Sequence, residues 1–227
     1  MIVLGIETAL PEVGVALHGD EGPIGSLQVA GGHRHAELLT PALDSLCRLC
    51  GVGLDQVSAV AVDVGPGLFT GLRVGVATAQ ALGFALGVPL VAVRSLDALA
   101  HPHRGCGRLV AAVVDARRGQ VFRSVEGRLA PAAVDPADLA EELGTLGAVL
   151  AVGDGAVRYK DLWPAGVDVA PASESHPRAA VVAEMGLSGL VAGEAREPAE
   201  VQPEYLRGPD VRIGWLSRSP GPLEAAS

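Results

Sequence analysis

The sequence predicts an α/β protein built as two lobes. Three observations carry this. Short apolar runs of strand length alternate with segments of helical period. The pattern that opens the chain returns after residue 108. A polar stretch rich in breakers, His101–Gly107, separates the two copies. The chain has 227 residues, 49% of them hydrophobic and 19% charged. That length and balance support a packed core and exclude an intrinsically disordered chain.

Ile2–Ile6 is an apolar run closed by Glu7. It reads as a first strand rather than a signal peptide, because no basic segment precedes it. Val13–Leu17 follows a turn at Ala9–Pro11 and completes a hairpin, and Ile24–Val29 is a third strand. From residue 35 to 50 the period changes: Leu38, Leu39, Ala42, Leu43, Leu46 and Leu49 recur at three and four, and Gly51 closes the helix. Val57–Val64 is continuously apolar apart from Ser58 and Asp63, as expected of a strand buried on both faces. Gly65–Gly67 breaks it, and a helix runs from about Thr70 to Leu86 with Gly87 beyond. Leu90–Val93 is a short strand, and Ser95–Ala100 starts a helix with Ser95 as its N-cap. The longest apolar stretch, Ala81–Val93, is interrupted by Pro89 and falls short of the roughly 20 residues a membrane span needs. No transmembrane helix is expected.

The lobe boundary is placed at 104/105, giving lobes 1–104 and 105–216 and a tail, 217–227, expected to be mobile. In the second lobe Arg108–Val114 and Gln120–Val125 are strands joined by the Asp115–Gly119 turn. Pro136–Leu146 is a helix, Ala148–Val152 a strand and Pro177–Ala192 a helix. Glu7 and Asp115 hold the same place in the two copies.

The formal charge of −9 argues against a chain that grips nucleic acid on its own, and seven aromatic residues supply few stacking platforms. Three cysteines, an odd number, argue against a disulfide framework and for the cytoplasm. Gly65–Gly71 joins a strand to a helix, which suits either a phosphate cradle or a plain tight turn. It is neither a P-loop nor GxGxxG. Gly71, Gly75, Ala79 and Gly83 recur every four residues and form one small-residue row along the second helix. Interior glycines cost about 1 kcal/mol each, so the row requires close packing against a helix of this chain or of another subunit. His33/His35 and the Cys47/Cys50 pair lack the further ligands of a metal or redox site. Glu7 and Asp115, at strand ends, suit either acid–base or metal chemistry or simple capping of their turns.

Several segments together resemble the TsaB (YeaZ) family: Ile2–Thr8, His35–Pro41, Gly65–Gly75, Ser95–Ala100, Asp115–Gly119 and Pro203–Asp210. The resemblance implies the two-lobed actin/Hsp70-like ATPase fold, also called ASKHA or ribonuclease H-like. It implies a non-catalytic scaffold subunit of the bacterial complex that forms threonylcarbamoyladenosine at position 37 of tRNAs reading ANN codons. The implied partners are a TsaD-like transferase and a TsaE-like ATPase, with tRNA reached through the complex, a homodimer when the chain is alone, and no membrane. ATP and metal are implied for those partner subunits, with no cofactor or metal on this chain itself. The resemblance places Leu39, Leu43, Leu46, Gly71, Leu72, Gly75, Val76 and Ala79 at the partner interface. It places Glu7, Thr8 and Asp115 at the nucleotide cleft. Filling the groove with Gly75→Leu is expected to weaken association and leave the monomer folded. Glu7, Ala9 and Leu68 stand where the family commonly has Asp, Ser and Ser, which argues against a working ATP site. Two alternatives share the fold: an independent ATPase or kinase, and a peptidase.

Overall fold

A computed structural model describes residues 1–32 and 34–207. His33, Gly208–Asp210 of the last motif and the 217–227 tail lie outside the described residues. The chain runs β1 (Ile2–Glu7), β2 (Glu12–Gly19), β3 (Gly22–Ala30), α1 (His35–Cys50), β4 (Ala59–Gly65), α2 (Phe69–Leu86), β5 (Leu90–Arg94) and α3 (Ser95–Ala100). The same order then repeats as β6 (Leu109–Arg117), β7 (Gln120–Val125), β8 (Leu129–Val134), α4 (Pro136–Gly144), β9 (Val149–Val152), α5 (Asp154–Arg158), β10 (Val167–Val169) and α6 (Ala179–Val191).

Each copy forms a five-stranded mixed sheet, ordered β3-β2-β1-β4-β5 and β8-β7-β6-β9-β10. The first three strands of each copy pair antiparallel, and the two after the first long helix join parallel. β4 is buried at every position, which accounts for its apolar run. β8, α5 and β10 are absent from the sequence reading. β8 contains Pro131 and is an edge strand, the one sheet position that tolerates proline. The other two are five and three residues long, too short to show a period.

The last helix of each copy crosses to the other sheet. Leu96, Leu99 and Ala100 of α3 pack with Ala112 and Val114 of β6 and Val152 of β9. In return, Val182 of α6 packs with Val3, Ala59, Ala61 and Val91 of the first sheet. Glycine makes the second contact close: a Cβ on Gly5 would stand 2.6 Å from Ala179 O, and one on Gly186 2.2 Å from Ala61 Cβ. Part of the range assigned to the second lobe therefore covers the first. Ser95 is not an N-cap either. It is the first helical residue, and its hydroxyl donates to Asp63 Oδ1 at 2.6 Å.

α2, by length and apolarity alone, is long enough to cross a membrane. Its small-residue row packs against the first sheet instead, so α2 belongs to the helical layer of that lobe.

Candidate functional site

α1 and α2 lie side by side on the first sheet, α1 over β2 and β3 and α2 over β4. Leu39, Leu43 and Leu46 of α1 sit in one core with Val13, Val15 and Leu17. Leu72, Val76 and Ala79 of α2 are equally enclosed, and Val76 and Ala79 join that same core. The glycine row has an internal cause. A Cβ at Gly71 would stand 2.1 Å from Thr8 O, one at Gly75 2.2 Å from Thr8 Oγ1, and one at Gly83 2.4 Å from Leu90 Cδ1. Gly71 and Gly75 seat the turn after β1, and Gly83 makes room for Leu90 of β5. All eight residues expected at a partner surface are thus buried inside this chain, and the sequence reading put them on the wrong face of their helices. Gly75→Leu would strike Thr8, so the expectation of an intact monomer is overturned as well. The outward face of α2 carries Phe69 and Phe84, 51% and 65% exposed, with Ala77, Ala81 and Ala85 also exposed.

Glu7, Thr8 and Asp115 are not brought together as one open site. Glu7 is fully enclosed, and its Oε1 accepts from Ala9 N at 2.7 Å. Thr8 is fully enclosed and donates its hydroxyl to Gly71 O at 2.9 Å. Asp115 accepts from Arg117 N, with Arg117 Nη1 at 3.2 Å and Arg158 Nη1 at 3.4 Å. Asp115 borders a cavity of about 430 Å³ between the β4–α2 loop and the β6–β7 turn.

Sequence reasoning missed Asp63. It is the one charge in the buried run of β4, and that is the signal that marks it. Its Oδ1 accepts from Gly65 N at 2.8 Å and from Ser95 Oγ, while its Oδ2 and Glu7 Oε2 have no hydrogen-bond partner. Burial pushes the Asp63 carboxyl up to about 7. Burial, and then the Asp63 charge, hold Glu7 well above the usual carboxylate range. A fully enclosed Glu7 that caps its own turn and a Thr8 bonded to α2 do not fit the phosphates and cation of a bound ATP.

His35 is buried, with Nε2 2.8 Å from Leu10 O, and ties the start of α1 to the β1–β2 turn. His101 and His103 face Glu184 and Glu174, each at 3.5 Å. Cys47 and Cys50 are half-buried near the end of α1, and burial pushes the Cys47 thiol up. Among the described residues no group of three or more His, Cys, Asp or Glu is placed to hold a metal.

The family profile described as TsaD, tRNA N6-adenosine threonylcarbamoyltransferase, matches residues 28–150, more than half of the chain. The solved structure of YeaZ from Pseudomonas aeruginosa superimposes with a TM-score of 0.77 at 28% identity, covering 90% of this chain and 100% of that one. The tRNA threonylcarbamoyladenosine biosynthesis protein TsaB of Bacillus subtilis is 35% identical over 122 residues, 54% of this chain and 53% of that protein. The chain belongs to the TsaB (YeaZ) family. An uncharacterized protein of Mycobacterium tuberculosis is 37% identical over 219 residues, covering 92% of this chain and 93% of its own length. The match to the Bacillus TsaB spans only about half of that relative's length. The two repeated sheets and their exchanged helices are this family member's version of the ASKHA fold.

Proposed function

We propose that this chain is a non-catalytic scaffold subunit in threonylcarbamoyladenosine formation on tRNA. It works in the cytoplasm by docking a TsaD-type transferase, with a TsaE-type ATPase completing the assembly and tRNA reached through the complex. The observation that carries the reading is α2. It is an apolar 18-residue helix with only six residues buried. Its outward stripe of Phe84, Ala77, Ala81 and Ala85 is apolar or small over several turns. Such a stripe suits close helix–helix packing with a partner. Family membership supports the choice of partner, and the sealed Glu7 and Thr8 support a role outside the chemistry.

The test is Ala77→Glu with Ala81→Glu, two exposed positions where a carboxylate costs the monomer little. The double variant is expected to melt like the wild type and to lose capture of the transferase subunit by at least about tenfold, since each desolvated charge opposes docking. Normal capture by a normally folded variant would refute the docking face. ATP turnover or proteolysis by the pure chain would refute the non-catalytic role.

A further inference from the structure

Glu7 ends β1, and Asp63 lies near the end of β4, its parallel neighbour in the sheet. The register runs from Val3↔Ala59 to Ile6↔Val62, so the next pair along is Glu7 and Asp63. Neighbours in register on parallel strands point to the same face of the sheet. Neither residue has any exposed surface. Like charges side by side in a sheet repel, and burial removes the water that would screen them. Two ionised carboxylates are the state this position tolerates least.

Each carboxyl has one satisfied oxygen and one orphan. Glu7 Oε1 accepts from Ala9 N at 2.7 Å. Asp63 Oδ1 accepts from Gly65 N at 2.8 Å and from Ser95 Oγ at 2.6 Å. Glu7 Oε2 and Asp63 Oδ2 are both buried without a partner. A buried acceptor without a donor is costly, and here two stand on adjacent side chains. One proton satisfies both at once, because a protonated carboxyl donates and an ionised one accepts. The charged groups that act on the pair from outside it are Glu12 of β2 and Asp97 of α3, both acidic. The start of α6 brings the apolar Ala179 beside Glu7 and Gly14. Burial holds both carboxyls above their ordinary range, the direction that sharing requires.

We infer that Glu7 and Asp63 share one proton between Glu7 Oε2 and Asp63 Oδ2, and that this acid pair is a pH-sensitive lock at the root of α2. The lock joins three segments. Glu7 holds the β1–β2 turn, whose Thr8 bonds Gly71 of α2. Asp63 holds the β4–α2 loop through Gly65 and the start of α3 through Ser95. Beyond Ser95, Leu96 and Leu99 pack into the second sheet. Loss of the proton leaves two enclosed negative charges side by side, and the three segments loosen together. Both groups bind protons more tightly folded than unfolded, so the stability they contribute is full below 3.8 and is lost as pH rises to about 7 and above. The lock does not depend on the scaffold reading.

The test is infrared spectroscopy of the full chain near neutral pH, with thermal melts across pH for the wild type, Glu7→Gln, Asp63→Asn and the double variant. Ordinary Asp and Glu side chains are ionised near neutral pH, so a protonated-carboxyl band there reports the pair. The wild type should show the band and each single variant should lose it, because the new amide donates to the remaining carboxylate and keeps it ionised. The wild-type melting temperature should fall by roughly 4 °C or more from about pH 5 to about pH 8. Each single variant should flatten that fall nearly as far as the double variant does, since one proton serves both groups. A band retained by either single variant, or slopes that simply add across the two, would mean two independent acids and overturn the sharing. A flat wild-type profile would overturn the lock. The wild-type spectrum decides the matter even where a variant fails to fold: no protonated-carboxyl band, no shared proton.

Discussion

Gly75→Ala is the sharpest test of which way the glycine row faces. The added Cβ would stand 2.2 Å from Thr8 Oγ1, 3.5 Å from Thr8 Cβ and 3.8 Å from Ile6 Cγ2. Thr8 must rotate or the helix must lift, and either movement breaks the bond from Thr8 Oγ1 to Gly71 O. Overpacking of this kind costs about 1–3 kcal/mol, and a lost internal hydrogen bond about 1 kcal/mol. Better helix propensity returns about 1 kcal/mol. The net loss is about 1–3 kcal/mol, which for a chain of this size lowers the melting temperature by roughly 2–12 °C. Thr8→Ala removes the obstructing oxygen, so the double variant Thr8→Ala, Gly75→Ala should be more stable than the sum of the single effects by about 1–2 kcal/mol. Differential scanning calorimetry on the four proteins of the cycle reads this directly. A Gly75→Ala protein that melts at or above the wild-type temperature would refute the inward row. So would a cycle with no coupling, since Thr8 would then not be what the glycine avoids.

Asp63 binds its proton more readily in the folded protein, at about 7, than at its ordinary value of 3.8. Its contribution to stability is therefore full below 3.8 and is lost as pH rises to about 7, and Glu7, raised in the same direction, adds to that slope. Asp63→Asn keeps an oxygen to accept from Gly65 N and Ser95 Oγ, so the variant should show a flatter melting-temperature profile across that window; an unchanged slope would refute the assignment. Arg123, with a side chain 10% exposed, makes a two-pronged pair with Glu142 of α4 at 3.0 and 3.1 Å. Arg123→Ala should cost about 2 kcal/mol in denaturant melts, less than a fully buried pair because Glu142 keeps 35% exposure.

The legible part of this fold is the part written in local period. The strands β1 to β3 and the helix α1 follow from short apolar runs, turn residues and a leucine row closed by Gly51, whose φ of 65° is the left-handed cap that glycine supplies. The repeat was legible for the same reason, because two copies of one local pattern need no knowledge of packing. What a buried face touches was not legible. The glycine row announces a close approach but does not name the approaching atom; that atom is the carbonyl or hydroxyl of Thr8, more than 60 residues earlier in the chain. The exchanged helices fail the sequence reading in the same way. Ala179, Ala183 and Gly186 give α6 a small face, and nothing in their spacing distinguishes the sheet that precedes them from the sheet at the start of the chain. Gly5 and Ala61 complete the answer, since a helix backbone can reach a strand only where both sides are small. The arginine cavity is the extreme case. Its walls come from the β4–α2 loop, the first turns of α2, the β6–β7 turn and residues near 205, and its arginines, Arg73 of α2, Arg117 and Arg118 of the turn and Arg207, read separately as solvent-facing charge. Only the folded chain brings these arginines to one cavity, where Arg117 meets Asp115, and their spacing in the sequence carries no sign of it.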